Sequence, residues 1–549
     1  MKEFFKKLGG KLVGRRGIGN TMTVVIIIAV VLLNILAYTI TNAFGLYLYS
    51  PDQDDFSISG NTDELFADAI TLGKKVTITF CYAEDKLEKH DTGRLVLKTA
   101  RAFAERYPEF IELKFVNLLT KMDADGKIVD LRRYCDVVCS NETSGAKCSE
   151  RMRFADVNQD NPRCRKCGAT LDLKEDVVYG FKQSSVIFET GSGSSYSYRV
   201  LTDRATAVGF SDFYTLDTSA NVTSYNGEEV MAAMISWVTK DTHPVVYFTQ
   251  NHGESADVSF SNLLTCAGYY VEAINLRKSE IPENAGMIVI SNPTSDFELS
   301  PEDSDVRGEI NKIEDYLERG GKLYVALDPY VKKLTNLEDL IGRWGISLSG
   351  ETNEHGVLVR NIIRENSEAI TPDGYTFIAT HAKNDVSDKI LGKVVSFGND
   401  SILVREVASL TLDSSLGANP LLVASGTAST HAGGNMTDSN GGYTVAAYSK
   451  RQEADGKEST VLVLPTIYIT ANDAFLSQTY SNKDFLYATL EVLFDSNSAP
   501  YGCNRVTYKS TILENLTMGR AKLYTAIILT IPAAITVAGT VIIKKRKNR

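Results

Sequence analysis

Residues 245–254, VVYFTQNHGE, decide the fold class. The first five are β-branched or aromatic at every position, the pattern of a strand buried on both faces. They run into a polar turn at 250–254, and a helical pattern follows to Ala267. Further along the chain the rhythm repeats. Strands are expected at 269–275 and 287–291. An amphipathic helix is expected at 303–319, closed by Gly320 and Gly321, a usual C-terminal stop. A strand at 322–327 then ends in Asp328-Pro329. This alternation predicts a doubly wound parallel sheet. In such sheets ligands bind beyond the strands' carboxyl ends, which makes Asn251, His252, Glu254 and Asp328 candidate ligand-binding residues. A purely structural reading also stands: Gly253 permits the turn, and Glu254 suits a helix N-terminus.

Upstream, KVTITFCY at 75–82 reads as a strand, 92–107 as a helix stopped by Pro108, and 111–119 as a second strand. Strand, helix, strand implies a parallel pair. Two more strands, 185–189 and 196–201, complete a smaller α/β domain over 49–215. A polar stretch at 132–177, holding five of the eight cysteines, interrupts it as an insertion. A second domain spans 216–500, opening with a helix at 228–239. Its segment 347–460 is rich in Gly, Ser, Thr and Asn with short strand-like runs, and a strand at 461–471 and a helix at 483–494 are expected to return to the main sheet.

The ends differ from the body. No charge occurs between Arg16 and Asp52, nor from 523 to 543. Crossing ~30 Å of hydrocarbon takes about 20 such residues, so membrane helices are expected at 21–48 and 523–543, with 501–522 as a linker. A cleaved signal peptide is the competing reading of the first. Basic tails, 1–20 and 544–549, place both termini in the cytoplasm and the body outside. Each end nets +5, which leaves −20 for the body of a chain at −10. An acidic body argues against nucleic acid as a partner.

The order of these elements resembles the GldG-like auxiliary components of ABC-type transport systems, relatives of gliding-motility accessory proteins. The resemblance rests on VVYFTQNHGE, on MIVISNPTSDFELSPEDSDVRGEINKIEDYLERGGKLYVALDP (287–329), on SVIFET, YRVL and SDFY at 185–214, and on ITANDAFLSQ after Pro465. It implies an outer thioredoxin-like domain and an outer domain like class I glutamine amidotransferases without their catalytic apparatus. It also implies an ABC permease and ATPase as partners. The cysteine-rich insertion is a departure from the family.

The chemistry legible in the residues is sparse. A thioredoxin-type redox site needs Cys-x-x-Cys, but the position reads Cys81-Tyr82-Ala83-Glu84. No G-x-[CS]-x-G nucleophile turn and no G-x-x-x-x-G-K-[ST] phosphate loop occurs, so the chain is expected to be non-catalytic. Cys164-Arg-Lys-Cys167-Gly looks like a zinc knuckle, with Cys135 and Cys139 as a Cys-x3-Cys second pair; disulfides among these thiols, or simply free thiols, are the other readings. Two rival functions remain: an outer receptor or adhesin independent of a transporter, and an amidotransferase-like hydrolase.

Overall fold

In the computed structural model, residues 58–507 and 522 are described, apart from 144–145, 149, 174–176, 179–181, 193–194, 203–207, 217–221, 256–257, 302–305, 354, 396–399, 454–455, 478, 497–498 and 501. The expected membrane helices, the basic tails and most of the linker 501–522 lie outside the described residues. Among the described residues no helix is long and apolar enough to cross a membrane.

The chain is a mixed α/β structure. It opens with helix α1 (Asn61–Thr71), strand β1 (Val76–Phe80), helix α2 (Gly93–Arg106) and strand β2 (Ile111–Asn117). Strands β3 (Val186–Thr190) and β4 (Ser197–Leu201) follow the insertion. β1 and β2 pair in parallel with Val76 opposite Ile111, and β3 joins β1 antiparallel with Val76 opposite Thr190. The sheet order is β4-β3-β1-β2, with the short strand Met122–Asp123 at the edge. Helix α3 (Gly227–Thr239) is buried along nearly its whole length, because it packs on β3, β4, α1 and α2 and also meets the next helix.

The second sheet is built from β5 (Val245–Thr249), α4 (Val258–Cys266), β6 (Tyr270–Ile274), β7 (Ala285–Ser291), α5 (Glu309–Glu318), β8 (Lys322–Ala326) and α6 (Thr335–Arg343). It continues with β9 (Thr376–His381), α7 (Asp385–Val395), β10 (Ile402–Arg405), β11 (Ala418–Val423), β12 (Thr444–Gln452), β13 (Glu458–Leu464) and α8 (Asn482–Phe494). The strand order is β6-β5-β7-β8-β13-β12-β11-β9-β10. The first five strands are parallel and the rest antiparallel. The parallel part therefore has the 2-1-3-4-5 order of one doubly wound class, with its switch point between β5 and β7.

Period-two alternation divides the core between the two faces. Val246, Phe248, Met287, Val289, Tyr324, Leu462 and Leu464 pack with α4 and α8. Val245, Tyr247, Ile288, Ile290, Leu323, Val325, Val461 and Val463 pack with α5 and α6. Helices on both faces are why these strands read as continuous apolar runs.

Three local expectations need correction. The strand expected at 461–471 runs from Glu458 to Leu464, and Tyr468–Thr470 forms a single 3-10 turn instead. The helix expected at 303–319 begins at Glu309. Before it the chain lies against 299–300: a Cβ on Gly308 would sit 2.2 Å from Leu299 C, and Gly308 N donates to Ser300 Oγ at 2.9 Å. The segment 347–460 is indeed strand-rich, but it also contains α7, and its longer strands extend the main sheet.

The start and end of the described body are fastened together. Glu228, in the first turn of α3, accepts from Ser59 N (2.7 Å) and from Asn504 N (2.9 Å). Asn61 Nδ2 donates to Gly502 O, and Val506–Thr507 pairs with the strand Val222–Tyr225. The beginning of the expected linker is thus part of the fold. Beside this, Glu229 is enclosed by Lys483, Arg505 and the Tyr487 hydroxyl, and Arg505 also holds Asp484 at 2.9 Å. Glu228→Ala leaves two part-buried N–H groups unpaired, a loss of about 2 kcal/mol. Limited proteolysis of the full chain is expected to speed up at 58–62 and 500–507 together. Cleavage enhanced at one of them alone would contradict the clamp.

Candidate functional site

The turn after β5 lies at the switch point, where the sequence places its candidate residues. Asn251 (φ 84°) and Gly253 (φ 79°) both adopt left-handed backbone, and a Cβ on Gly253 would meet Thr294 Oγ1 at 2.0 Å. His252 O accepts from Thr294 N (2.7 Å) and Ser295 N (2.9 Å), which stitches this turn to the loop after β7. The turn drives the His252 side chain inward rather than toward solvent; the residue is 1% exposed.

Both imidazole nitrogens meet carboxylates. Nδ1 lies 3.1 Å from Glu254 Oε1, and Nε2 lies 2.8 Å from Glu309 Oε2. The ring stacks on Phe297 at 3.9 Å. Burial opposes the charged ring, but the two carboxylates outweigh it and raise the His252 pKa to about 9. The same bonds, with backbone N–H donors, hold Glu254 and Glu309 below the usual carboxylate range although burial works the other way. At neutral pH the group is an imidazolium between two carboxylates, and each nitrogen already donates its proton.

Asp328 does not join this group. Its Oδ1 accepts from Tyr330 N at 2.9 Å, closing its own turn. Asn251 is exposed. Of the four candidates, the structure brings His252 and Glu254 together and adds Glu309 and Phe297. Glu309 is 57 residues from His252, and nothing in its local sequence marks it as a partner.

The thiols are similarly settled. Cys81 is fully buried, and burial pushes its pKa up to about 12; Cys266, which ends α4, is pushed up to about 11. Neither has the lowered pKa of a nucleophile.

In the insertion, the sulfurs of Cys139, Cys148, Cys164 and Cys167 all lie within 4.8 Å of one another. Cys139 and Cys167 are 3.6 Å apart, Cys148 and Cys164 3.7 Å. These distances are well beyond an S–S bond of about 2.05 Å. They match the ~3.8 Å edge of a tetrahedron with 2.3 Å metal–sulfur bonds. The knuckle is shaped by Cys164 N to Ala169 O (2.8 Å), Gly168 N to Cys164 O (2.9 Å) and a positive φ at Gly168. The second pair flanks a small hairpin of Glu142–Thr143 and Ala146–Lys147. Asn141 Nδ2 donates to Cys167 Sγ (3.7 Å), and the Ala169 N–H helps hold that thiol down to about 7.

Cys148 therefore stands where the spacing argument puts Cys135. Cys135 is buried in the insertion's small core, and its thiol donates to Leu131 O. The strand Asp136–Val138 separates it from Cys139. Four residues of extended chain span about 13 Å, too far for one tetrahedron.

No protein-family profile and no curated protein matches this chain. Among solved structures, the chain is distantly similar to the mmIFT52 N-terminal domain (TM-score 0.33, 13% identity, 45% of this chain and 97% of that one). PurLQS from Thermotoga maritima gives 0.26 and 12%, covering 46% and 99%. Cytoplasmic protein STM3548 from Salmonella typhimurium gives 0.24 and 12%, covering 46% and 98%. These likenesses are too slight to carry a functional argument.

Proposed function

We propose that this chain is a non-catalytic accessory membrane subunit of an ABC-type transporter. Its outer α/β domains act as a binding or scaffolding module, and an ABC permease and ATPase are its partners. The observation that carries this reading is the Glu228 clamp. It fastens the start of the described body to its end, with Ser59 N and Asn504 N sharing the Glu228 carboxylate, which suits a module held to its partners through both flanks. The order β4-β3-β1-β2 supports a thioredoxin-like first domain, and the 2-1-3-4-5 sheet supports an amidotransferase-like second one.

A non-catalytic role is supported by the His252 group. A general base must offer a nitrogen to substrate, and both of these are committed to carboxylates inside the fold. The four-thiol cluster is proposed to hold a structural zinc that staples an insertion with little core of its own. The body is proposed to lie outside the cell membrane with both termini in the cytoplasm.

The test is gentle-detergent purification of the tagged full chain with mass spectrometry of co-eluting proteins. A permease and an ATPase in fixed ratio are expected. Recovery of the chain alone across several detergents would overturn the transporter role and favour a free-standing receptor.

A further inference from the structure

A cleft of about 1220 Å³ lies where the β4-β3-β1-β2 sheet meets the carboxyl end of α3. Its charge is opposite to that of the body. Lys74, Lys75, Lys114, Arg133, Arg153 and Lys240 line it, against the carboxylates Glu189 and Asp241 alone. Both carboxylates are already bound. Asp241 takes Lys74 Nζ (2.7 Å), which also caps α3 at Thr239 O, and Glu189 takes Arg133 (3.0 Å). Lys114 and Arg153 pair with Glu112 and Asp156, which are exposed and do not line the cleft. Exposed pairs of this kind are worth under about 1 kcal/mol, so a ligand can displace them. A cleft of one sign set in a body of the other concentrates anions.

The floor is aromatic. Tyr270 is 42% exposed and stands edge-on to Trp237 (5.4 Å) and His243 (5.3 Å). Trp237 is braced by the parallel His243 ring at 3.8 Å and the Arg199 guanidinium at 3.9 Å. The Trp237 indole N–H is buried with no hydrogen-bond partner among the described residues. One rim supplies Gly191, Ser192, Ser195, Tyr196 and Ser197.

We propose that this cleft binds an anionic sugar chain. The exposed Tyr270 ring, held in place by Trp237 and His243, suits the C–H face of a sugar ring, hydroxyl and backbone groups suit its hydroxyls, and the lysines suit carboxylate or phosphate substituents. A lone small anion fills little of this volume, and an acidic peptide has no ring face for Tyr270. The proposal does not depend on the transporter reading, since it concerns the body alone.

The test is calorimetric titration of the full-length chain in detergent with three probes: oligogalacturonate, a phosphorylated maltodextrin and poly-glutamate. A neutral dextran oligomer is the blank. Binding of one or both of the first two is expected, and which one binds identifies the acidic group. Lys75→Glu with Lys114→Glu, both exposed positions, is expected to weaken binding about tenfold or more, with an unchanged melting profile. Tyr270→Ala is expected to weaken the sugar polymers and to leave any residual poly-glutamate binding unaltered. Absence of binding at millimolar sugar polymer, equal binding of poly-glutamate, or indifference to the lysine reversals would each overturn the proposal.

Discussion

Replacing His252 with leucine is expected to destabilise the second sheet's switch point by about 3–5 kcal/mol, the usual cost of leaving buried charges unpaired. The Glu254 and Glu309 side chains, 8% and 1% exposed, would then face each other across an apolar residue. Arg277, 3.8 Å from Glu309, would be the nearest remaining cation. Thermal unfolding of the detergent-solubilised full chain should show a clear drop in midpoint. An unchanged midpoint would disprove the buried-triad account.

The pH dependence has a definite sign. The His252 pKa is raised, from 6.5 to about 9. Its contribution is therefore complete below 6.5 and is lost as pH rises through 9. The depressed Glu254 and Glu309 contribute above their ordinary 4.5 and lose that contribution as pH falls through their lowered values. The difference in midpoint between the native chain and His252→Gln should be largest between about pH 5 and 6.5 and should shrink toward pH 9. A difference that grows with pH would mean that the ring is neutral in the fold.

The second large effect concerns the insertion. Structural zinc sites in small domains bind with apparent free energies of about 10–16 kcal/mol, nearly all of it folding energy. Cys148→Ser is expected to reduce bound zinc from one per chain to almost none and to open 132–177 to protease. Cys135→Ser is expected to keep the metal, because its thiol lies in the core rather than in the cluster. Elemental analysis of both variants separates the two sets of four. Metal loss from Cys135→Ser with retention in Cys148→Ser would reverse the assignment. Intact-mass evidence of disulfides in a metal-free native chain would remove zinc altogether. Affinity should fall as the pH is lowered, since thiolates and not thiols bind the metal.

The place of the β5 turn at the carboxyl end of a parallel strand marked it as a ligand site, and the local signals there were sound. Gly253 does take a positive φ, and His252 does follow a strand of the parallel sheet. What could not be read locally was the direction of the side chain. That depends on Glu309 and Phe297, which arrive from α5 and the loop before it. The cysteine cluster shows the same limit. Cys164 and Cys167 are legible because a four-residue turn can present two thiolates by itself. The second pair is not, because Cys139 and Cys148 meet only after a hairpin folds between them.

Taken alone, the sequence determined the features that depend on period and on neighbours. These are the apolar strands of β5, β7 and β8, the glycine stop after α5, the two uncharged end segments, and the absence of a nucleophile turn or phosphate loop. Tertiary structure alone decided which distant charges meet: Glu228 with Ser59 and Asn504, His252 with Glu309, and the lysines of the cleft with one another. The reason is physical. Hydrophobic periodicity is set by the local geometry of helix and strand and is written every two to four residues. A buried ion pair or a shared cleft depends on contacts between segments far apart in the chain, and such contacts leave no local repeat to read.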